Sequence, residues 1–157
     1  MAFNKFMHPR NPYKERPPDF KELAKNYSVF KDHCTIDHHG KARVNFGDPE
    51  AVRALTWTLL KNDFNLDVDL PADCLVPRVT QRLNYLLWLE DLVNQNDIKG
   101  PIIGIDIGTG ASCVFPLLGA RQCGWDFVAT DTDAKAVEVA TRNVRRNQLE
   151  QHITVLA

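Results

Sequence analysis

The spacing of apolar and polar positions predicts a mainly helical first part of the chain. Apolar residues recur at helical spacing over 19–27, 48–62 and 79–93, and a short alternating strand is expected at 42–46. Asp48, which is followed by a proline and an acid, is typical of a helix start. The last helix is apolar over most of its surface, so we expect it to contact neighbours on two sides, including another domain.

After residue 100 the pattern changes to short apolar runs separated by glycine turns and helices. The run 102–107 is apolar almost throughout, which is typical of a strand buried in a parallel sheet. The runs 127–130 and 152–156 predict two further strands, with a helix before each. This βαβαβ order is the first half of a doubly wound α/β sheet of the Rossmann type. Three strands are an incomplete sheet, so we expect the third strand to have an unpaired edge and an uncovered apolar face.

Composition excludes several classes of protein. The 157 residues include 19 Lys and Arg against 20 Asp and Glu, a net charge of −1, which excludes a generally basic nucleic-acid coat protein. No apolar run approaches the roughly 18 residues that a membrane span needs. The four cysteines form no CxxC pair, so we expect free thiols and no metal site.

Residues 1–18 differ in composition from the rest of the chain. They hold four prolines and one acid, Glu15, beside four cations. Because prolines at this density disfavour a helix, we expect an extended arm. Two interpretations remain open: a solvated tail, or a nucleic-acid arm whose cations neutralise phosphates. The cations are Lys5, Arg10, Lys14 and Arg16.

A glycine-rich turn is the main candidate for a ligand site. Gly108 and Gly110 follow the strand that contains Asp106, and Asp131 follows the next strand, where a Rossmann-type fold binds ribose hydroxyls. A dinucleotide would need a third glycine where Cys113 stands. An acid before the turn suits the ammonium and sulfonium of S-adenosylmethionine better than a pyrophosphate. The turn therefore favours S-adenosylmethionine over NAD.

Several segments together resemble one family. They are 8–11 (His-Pro-Arg-Asn), 17–20 (Pro-Pro-Asp-Phe), 45–55 (Asn-Phe-Gly-Asp-Pro-Glu-Ala-Val-Arg-Ala-Leu), 82–85 (Arg-Leu-Asn-Tyr), 88–92 (Trp-Leu-Glu-Asp-Leu) and 106–112 (Asp-Ile-Gly-Thr-Gly-Ala-Ser). This set resembles the methyltransferase-like sixteen family of RNA adenine-N6 methyltransferases, which act on U6 small nuclear RNA in animals and on 23S ribosomal RNA in bacteria. The resemblance covers essentially the whole chain and implies a class I, Rossmann-like methyltransferase fold.

The resemblance also implies site residues. Gly108, Gly110 and Ser112 would line the methionine part of S-adenosylmethionine, Asp131 would hold its ribose, and Arg82 would pair with its carboxylate. Asp106 is assigned to the same site because its negative charge suits the cationic groups of the cofactor. The implied partner is structured RNA, with U6 small nuclear RNA as the family's example. The residues that would contact RNA are Lys5, Arg10, Lys14, Arg16, Pro17, Pro18, Asp19 and Phe20.

The family's catalytic motif, Asn-Pro-Pro-Phe after the fourth strand, is absent from these 157 residues. We therefore assign no catalytic residue and expect an amino-terminal portion of the enzyme that is inactive alone. Its parts would be an RNA-binding arm (1–18), a helical region (19–100) and an incomplete cofactor domain (101–157). The alternatives are a non-catalytic RNA-binding module and, less favoured, an NAD-dependent oxidoreductase. The family suggests a location in the nucleus and cytoplasm.

Overall fold

The computed structural model describes residues 6–157, and its first part is mainly helical. The elements of this part are α1 (Pro12–Glu15), α2 (Phe20–Asn26), α3 (Ser28–Lys31), β1 (Cys34–Ile36), β2 (Ala42–Val44), α4 (Pro49–Phe64) and α5 (Val79–Gln95). Asp19 and Asp48 cap α2 and α4, because their carboxylates accept hydrogen bonds from backbone N–H groups of the first turn. The three longer helices therefore lie close to where the apolar spacing predicts them.

The second part is the predicted βαβαβ unit. Its elements are β3 (Ile103–Ile107), α6 (Val114–Cys123), β4 (Asp126–Thr130), α7 (Ala134–Arg146) and β5 (Ile153–Leu156). The three strands are parallel, in the order β3-β4-β5, and their register aligns Gly104 with Phe127 and Phe127 with Ile153. Asp133 caps α7, as the sequence predicts. These features confirm the predicted half of a doubly wound sheet.

Phe127 fills the space between the sheet and α6. A Cβ atom built on Gly104 would lie 2.4 Å from the Phe127 ring, and one built on Gly119 of α6 would also lie 2.4 Å from it. Both glycines therefore allow a close approach that a side chain would prevent. Ala129 and Ile153 are buried in the same core. This face of the sheet is covered.

The opposite face of the sheet corrects one prediction. The run 102–107 predicts a buried strand, yet Ile103, Ile105 and Ile107 are 65%, 72% and 84% exposed. Successive strand residues point to opposite faces, and α6 packs on the face of Phe127. An apolar run predicts burial on both faces, but in this structure β3 is covered on one only.

The structure of the amino-terminal segment corrects a second prediction. We expected an extended arm without helix, but Pro12–Glu15 form a short helix with Pro12 in its first turn. A proline is tolerated there because the first turn needs no N–H from it. Asn11 caps the turn by accepting a hydrogen bond from the backbone of Tyr13. Proline density therefore excluded a long helix and not this turn.

The same segment packs against α5, so it is not a solvated tail. The backbone N–H of His8 donates to Asn84 Oδ1 at 2.6 Å, and the His8 ring lies edge-on to Trp88 with the centroids 5.0 Å apart. Asn11 Nδ2 donates to the carbonyl of Thr80 at 3.0 Å. The wide apolar stripe of α5 predicts contacts on two sides of this helix. The start of the chain provides the contacts on one of them.

Two asparagines connect the two parts. Asn143 Oδ1 accepts from the backbone N–H of Asp69 at 2.7 Å, and its Nδ2 donates to the carbonyl of Asp69 at 3.0 Å. One helical turn later, Asn147 makes the same pair of bonds to Asp67. The two side chains therefore pair with the segment between α4 and α5 as a neighbouring strand would.

Candidate cofactor site

The glycine-rich turn lies where β3 ends and α6 has not yet begun. The backbone N–H groups of Gly108 and Thr109 both donate to the carbonyl of Thr130, at 2.8 and 2.9 Å. Gly108 and Gly110 have φ angles of 75° and 65°, in the left-handed region that favours glycine. The turn is thus held against the end of β4, and its backbone stays open to a ligand.

Asp131 fixes the turn from the neighbouring strand. Its Oδ2 accepts from the backbone N–H of Gly110 at 2.8 Å, and its Oδ1 accepts from that of Asp133 at 3.0 Å. The hydrogen bonds from Asp133 and Gly110 lower the pKa of the Asp131 carboxyl below its usual value. The structure therefore brings Asp131 and Gly110 together, with an ionised carboxylate at the mouth of the turn.

Asp106 provides a second carboxylate beneath the turn. Its Oδ2 is buried and, among residues 6–157, has no hydrogen-bond partner. Burial, together with the negative charge of Asp106, raises the pKa of the Cys113 thiol to about 12. A buried acceptor without a donor is costly. A bound ammonium would supply that donor, so the site fits a cationic ligand.

Arg82 and Asp106 line one open cavity of about 750 Å³ between α5 and β3. The Arg82 guanidinium lies over the Phe115 ring, 5.2 Å from its centroid, and Tyr85 meets the same ring edge-on. Gly108, Gly110, Ser112 and Asp131 do not line this cavity; Ser112 is buried in the turn. The six predicted residues thus form two groups, one at the cavity and one at the glycine turn. The groups are neighbours, because Asp106 of the cavity lies in β3 two residues before Gly108 of the turn.

Sequence reasoning missed one residue of this site, Phe115, whose ring lies under the Arg82 guanidinium. Phe115 stands among apolar residues and carries no signal that distinguishes it from core.

The residues predicted to bind RNA differ in their surroundings. Arg10 pairs with both Glu90 and Asp91 of α5, and these acids raise the pKa of its guanidinium. Lys14 and Arg16 form no ion pair within the described residues. Lys5 lies outside the described residues. The cation of Arg10 is therefore already compensated, while Lys14 and Arg16 are available to an anionic partner.

The other four predicted RNA contacts lie at the start of α2. Asp19 accepts from the backbone N–H groups of Lys21 and Glu22. The Phe20 ring packs against those of Phe30 and Phe46, and Pro17 and Pro18 connect α1 to α2. Asp19 and Phe20 thus have structural roles that explain them without a ligand.

Residues 6–157 contain neither a membrane-spanning helix nor a metal-binding cluster. No helix there combines the length and the apolar character that crossing a lipid bilayer requires. No three His, Cys, Asp or Glu side chains in that range are grouped so that they could hold a metal ion.

Comparison with known proteins identifies close relatives. A family model described as "RNA methyltransferase" matches residues 1–157. The U6 small nuclear RNA (adenine-(43)-N(6))-methyltransferase of Caenorhabditis elegans is 53% identical over 156 residues, which are 99% of this chain and 33% of the relative. The RNA N(6)-adenosine-methyltransferase METTL16 of Homo sapiens is 51% identical over 158 residues, 99% of this chain and 28% of the relative. The chain spans about a third of the length of these curated relatives.

Solved structures give the same result. The N-terminal domain of human METTL16 in complex with SAH is 51% identical, with a TM-score of 0.91 over 96% of this chain and 58% of that one. The catalytic domain of human METTL16 in complex with the MAT2A 3'UTR hairpin 1 is also 51% identical, with a TM-score of 0.89 over 96% of this chain and 50% of that one. These similarities confirm the predicted Rossmann-like methyltransferase fold.

Proposed function

Since this chain belongs to the RNA methyltransferase family whose model matches all 157 of its residues, we propose that it supplies the cofactor-binding part of an S-adenosylmethionine-dependent RNA N6-adenosine methyltransferase. The observation that carries this proposal is the pair of carboxylates around the glycine turn, with Asp131 held by Gly110 and Asp106 buried without a donor. The relatives that act on U6 small nuclear RNA, and the neighbour in complex with SAH, support it.

Each site residue has a role that follows from its chemistry. Asp106 would accept hydrogen bonds from the ammonium of the cofactor's methionine part, and Asp131 would accept them from the ribose hydroxyls. Arg82, supported by Phe115, would pair with the carboxylate. The cofactor supplies an activated methyl group. This chain would hold that group in position, which is the main requirement of a direct displacement.

We assign no residue of this chain to the acceptance of the adenine amino group. The Asn-Pro-Pro-Phe motif that does so in the resembling family is not among these residues. The transfer itself is therefore proposed for the whole enzyme, and we expect the chain by itself to bind the cofactor without turnover. A non-catalytic RNA-binding module remains the second candidate. The location in the nucleus and cytoplasm stays a prediction.

Calorimetric titration with S-adenosylhomocysteine and with NADH tests the cofactor assignment. We expect saturable binding of S-adenosylhomocysteine at one site and no binding of NADH, because Cys113 replaces the glycine that a dinucleotide site needs. Tight binding of NADH alone would instead support an oxidoreductase and contradict the proposal.

Replacing Asp131 by alanine is expected to weaken S-adenosylhomocysteine binding about tenfold, which is ~1.4 kcal/mol, since a charged hydrogen bond to the ribose is lost. Asp133→Ala is the matched control two residues away. It removes the cap of α7 and should lower the free energy of unfolding by about 1 kcal/mol, with binding unchanged. Titration calorimetry and urea unfolding measure both quantities. If Asp133→Ala weakened binding and Asp131→Ala only lowered the stability, the ribose would bind to Asp133 and not to Asp131.

The proposed partner is structured RNA, which would contact the amino-terminal segment through phosphates. Lys14 and Arg16 support this because no acid of the described residues neutralises them. Deleting residues 1–18 would not test it, since His8, Asn11 and Tyr13 belong to the core. Substitutions that remove charge and keep the fold are the suitable change.

The variant Lys14→Gln/Arg16→Gln is expected to flatten the slope of log affinity against log salt by about 2 units for a hairpin RNA, near one per lost phosphate contact. Fluorescence anisotropy over a range of salt concentrations measures the slope. Lys61→Gln/Lys99→Gln removes the same charge elsewhere and should leave it unchanged. Equal slopes in all three proteins would show that these two cations do not contact RNA.

A further inference from the structure

A second cavity lies away from the glycine turn. It has a volume of about 300 Å³ and is lined by α3, α4, the segment 68–70 and the end of α7. This volume is near the lower limit of about 300 Å³ for small-molecule sites in proteins. The cavity is too large for a single ion and of a size for one small planar ligand. Its apolar lining residues are Val29, Ala54, Trp57, Val68 and Leu70.

Trp57 is held in a fixed orientation at this cavity. Its indole N–H donates to Asp67 Oδ1 at 3.2 Å, and Tyr27 meets the ring edge-on with the centroids 6.0 Å apart. An aromatic ring that is fixed before binding loses little entropy when a ligand stacks on it. The cavity therefore presents a ready aromatic surface.

Arg53 forms part of one wall of the cavity. Its Nη1 pairs with Glu50 and its Nη2 donates to the carbonyl of Ala72 at 3.0 Å. Its Nε is buried, so this atom is not accessible to a ligand in the cavity. Arg53 therefore fixes the wall through Glu50 and Ala72 and leaves the contact with a ligand to other residues.

The charged side chains of the wall do not favour a phosphate. The cations Arg53 and Arg146 are matched in number by the acids Glu50 and Asp69, and the His33 imidazole also lines the cavity. Asp69 is only loosely paired, with its Oδ2 3.6 Å from Arg142 Nη2, so its carboxylate can accept further hydrogen bonds. A balanced wall that offers donors, acceptors and an aromatic ring suits a neutral, planar, polar-edged ligand. A nucleobase has these properties.

We propose that this cavity binds one unstacked base of the RNA, with the base against Trp57. The Asp69 carboxylate accepts a hydrogen bond from an exocyclic amine or ring N–H of the base. The proposal rests on the proposed function for its ligand, an RNA, and it adds a subsite that reads a base away from the cofactor. Such a contact carries sequence information that phosphate contacts cannot.

The test uses the whole chain, with saturating S-adenosylhomocysteine to block the cofactor site. Adenosine, guanosine, cytidine and uridine are titrated separately, and the indole N–H signal of Trp57 is followed by NMR. We expect at least one nucleoside to shift this signal saturably and ribose 5-phosphate to leave it unchanged. No shift with any nucleoside overturns the proposal, and so does an equal shift with ribose 5-phosphate. Failure of S-adenosylhomocysteine to bind would contradict the proposed function and not this subsite.

Variants then connect the subsite to RNA. Trp57→Ala should lower the affinity for a hairpin RNA with an unpaired loop about tenfold and leave the salt slope unchanged, because no cation is lost. Trp57→Phe keeps an aromatic ring and should stay within about twofold of the parent. If Trp57→Ala unfolds the chain, Asp69→Asn decides: we expect it to weaken binding of the shifting nucleoside at least fivefold. Unchanged binding in the folded variant overturns the proposal.

Discussion

Asn143→Ala is expected to lower the free energy of unfolding by about 3–5 kcal/mol. The Asn143 side chain is fully buried. It pairs with both backbone polar groups of Asp69 and donates to the carbonyl of Ala111 at 3.0 Å. Alanine would leave an N–H and two carbonyls with fewer partners or with none, and each unpaired buried group costs about 1–3 kcal/mol.

Urea unfolding followed by circular dichroism measures this loss. Asn96→Ala is the matched control, since Asn96 is exposed and makes one side-chain bond, to the carbonyl of Leu92; we expect a change within about 0.5 kcal/mol. A loss below about 1 kcal/mol for Asn143→Ala would mean that water or a shifted segment replaces the lost bonds, and that the two parts are less tightly joined than the hydrogen bonds indicate.

Gly119→Ala is expected to destabilise the chain by about 1–2 kcal/mol, although alanine favours a helix. The change gains about 1 kcal/mol of helix propensity. The new Cβ would lie 2.4 Å from the Phe127 ring, and overpacking of a core typically costs 1–3 kcal/mol, occasionally more. Because that ring is also confined by Gly104 on the other side, it cannot move away, so the clash outweighs the propensity.

The same change in a Phe127→Leu background isolates the clash. Without the aromatic ring, Gly119→Ala should become neutral or stabilising, and the double-mutant cycle should give a coupling of about 1–3 kcal/mol. Thermal and urea unfolding of the four proteins supply the values. Additive effects would show that Gly119 is needed for another reason, such as contact with Leu86.

Local signals in the sequence predicted most of the elements. Asp48, Asp133 and the glycine turn act over a few residues, through caps and φ angles, and the structure contains each of them as predicted. The approach of Asp131 to Gly110 was also predictable, because the carboxyl ends of neighbouring parallel strands meet at one edge of a sheet.

Features that depend on distant partners were not predictable. The burial of His8 and the pairing of Arg10 need α5, about 80 residues later, and no local pattern reports that contact. The exposure of Ile105 depends on which face of the sheet a helix covers. Phe115 and the Trp57 cavity likewise arise from packing between elements. Sequence patterns thus locate motifs, but they do not show which distant residues pack against those motifs.

The contact between the first residues and α5 has a consequence for synthesis on the ribosome. His8 and Asp91, whose side chains lie 2.8 Å apart, are separated by 83 positions. At roughly 5–20 residues per second, translation leaves the amino-terminal segment without its partner for about 4–17 s. During that interval Tyr13 and the short helix have no α5 to pack against. The segment emerges first from the ribosome, yet it can reach its native place only after α5 has been made.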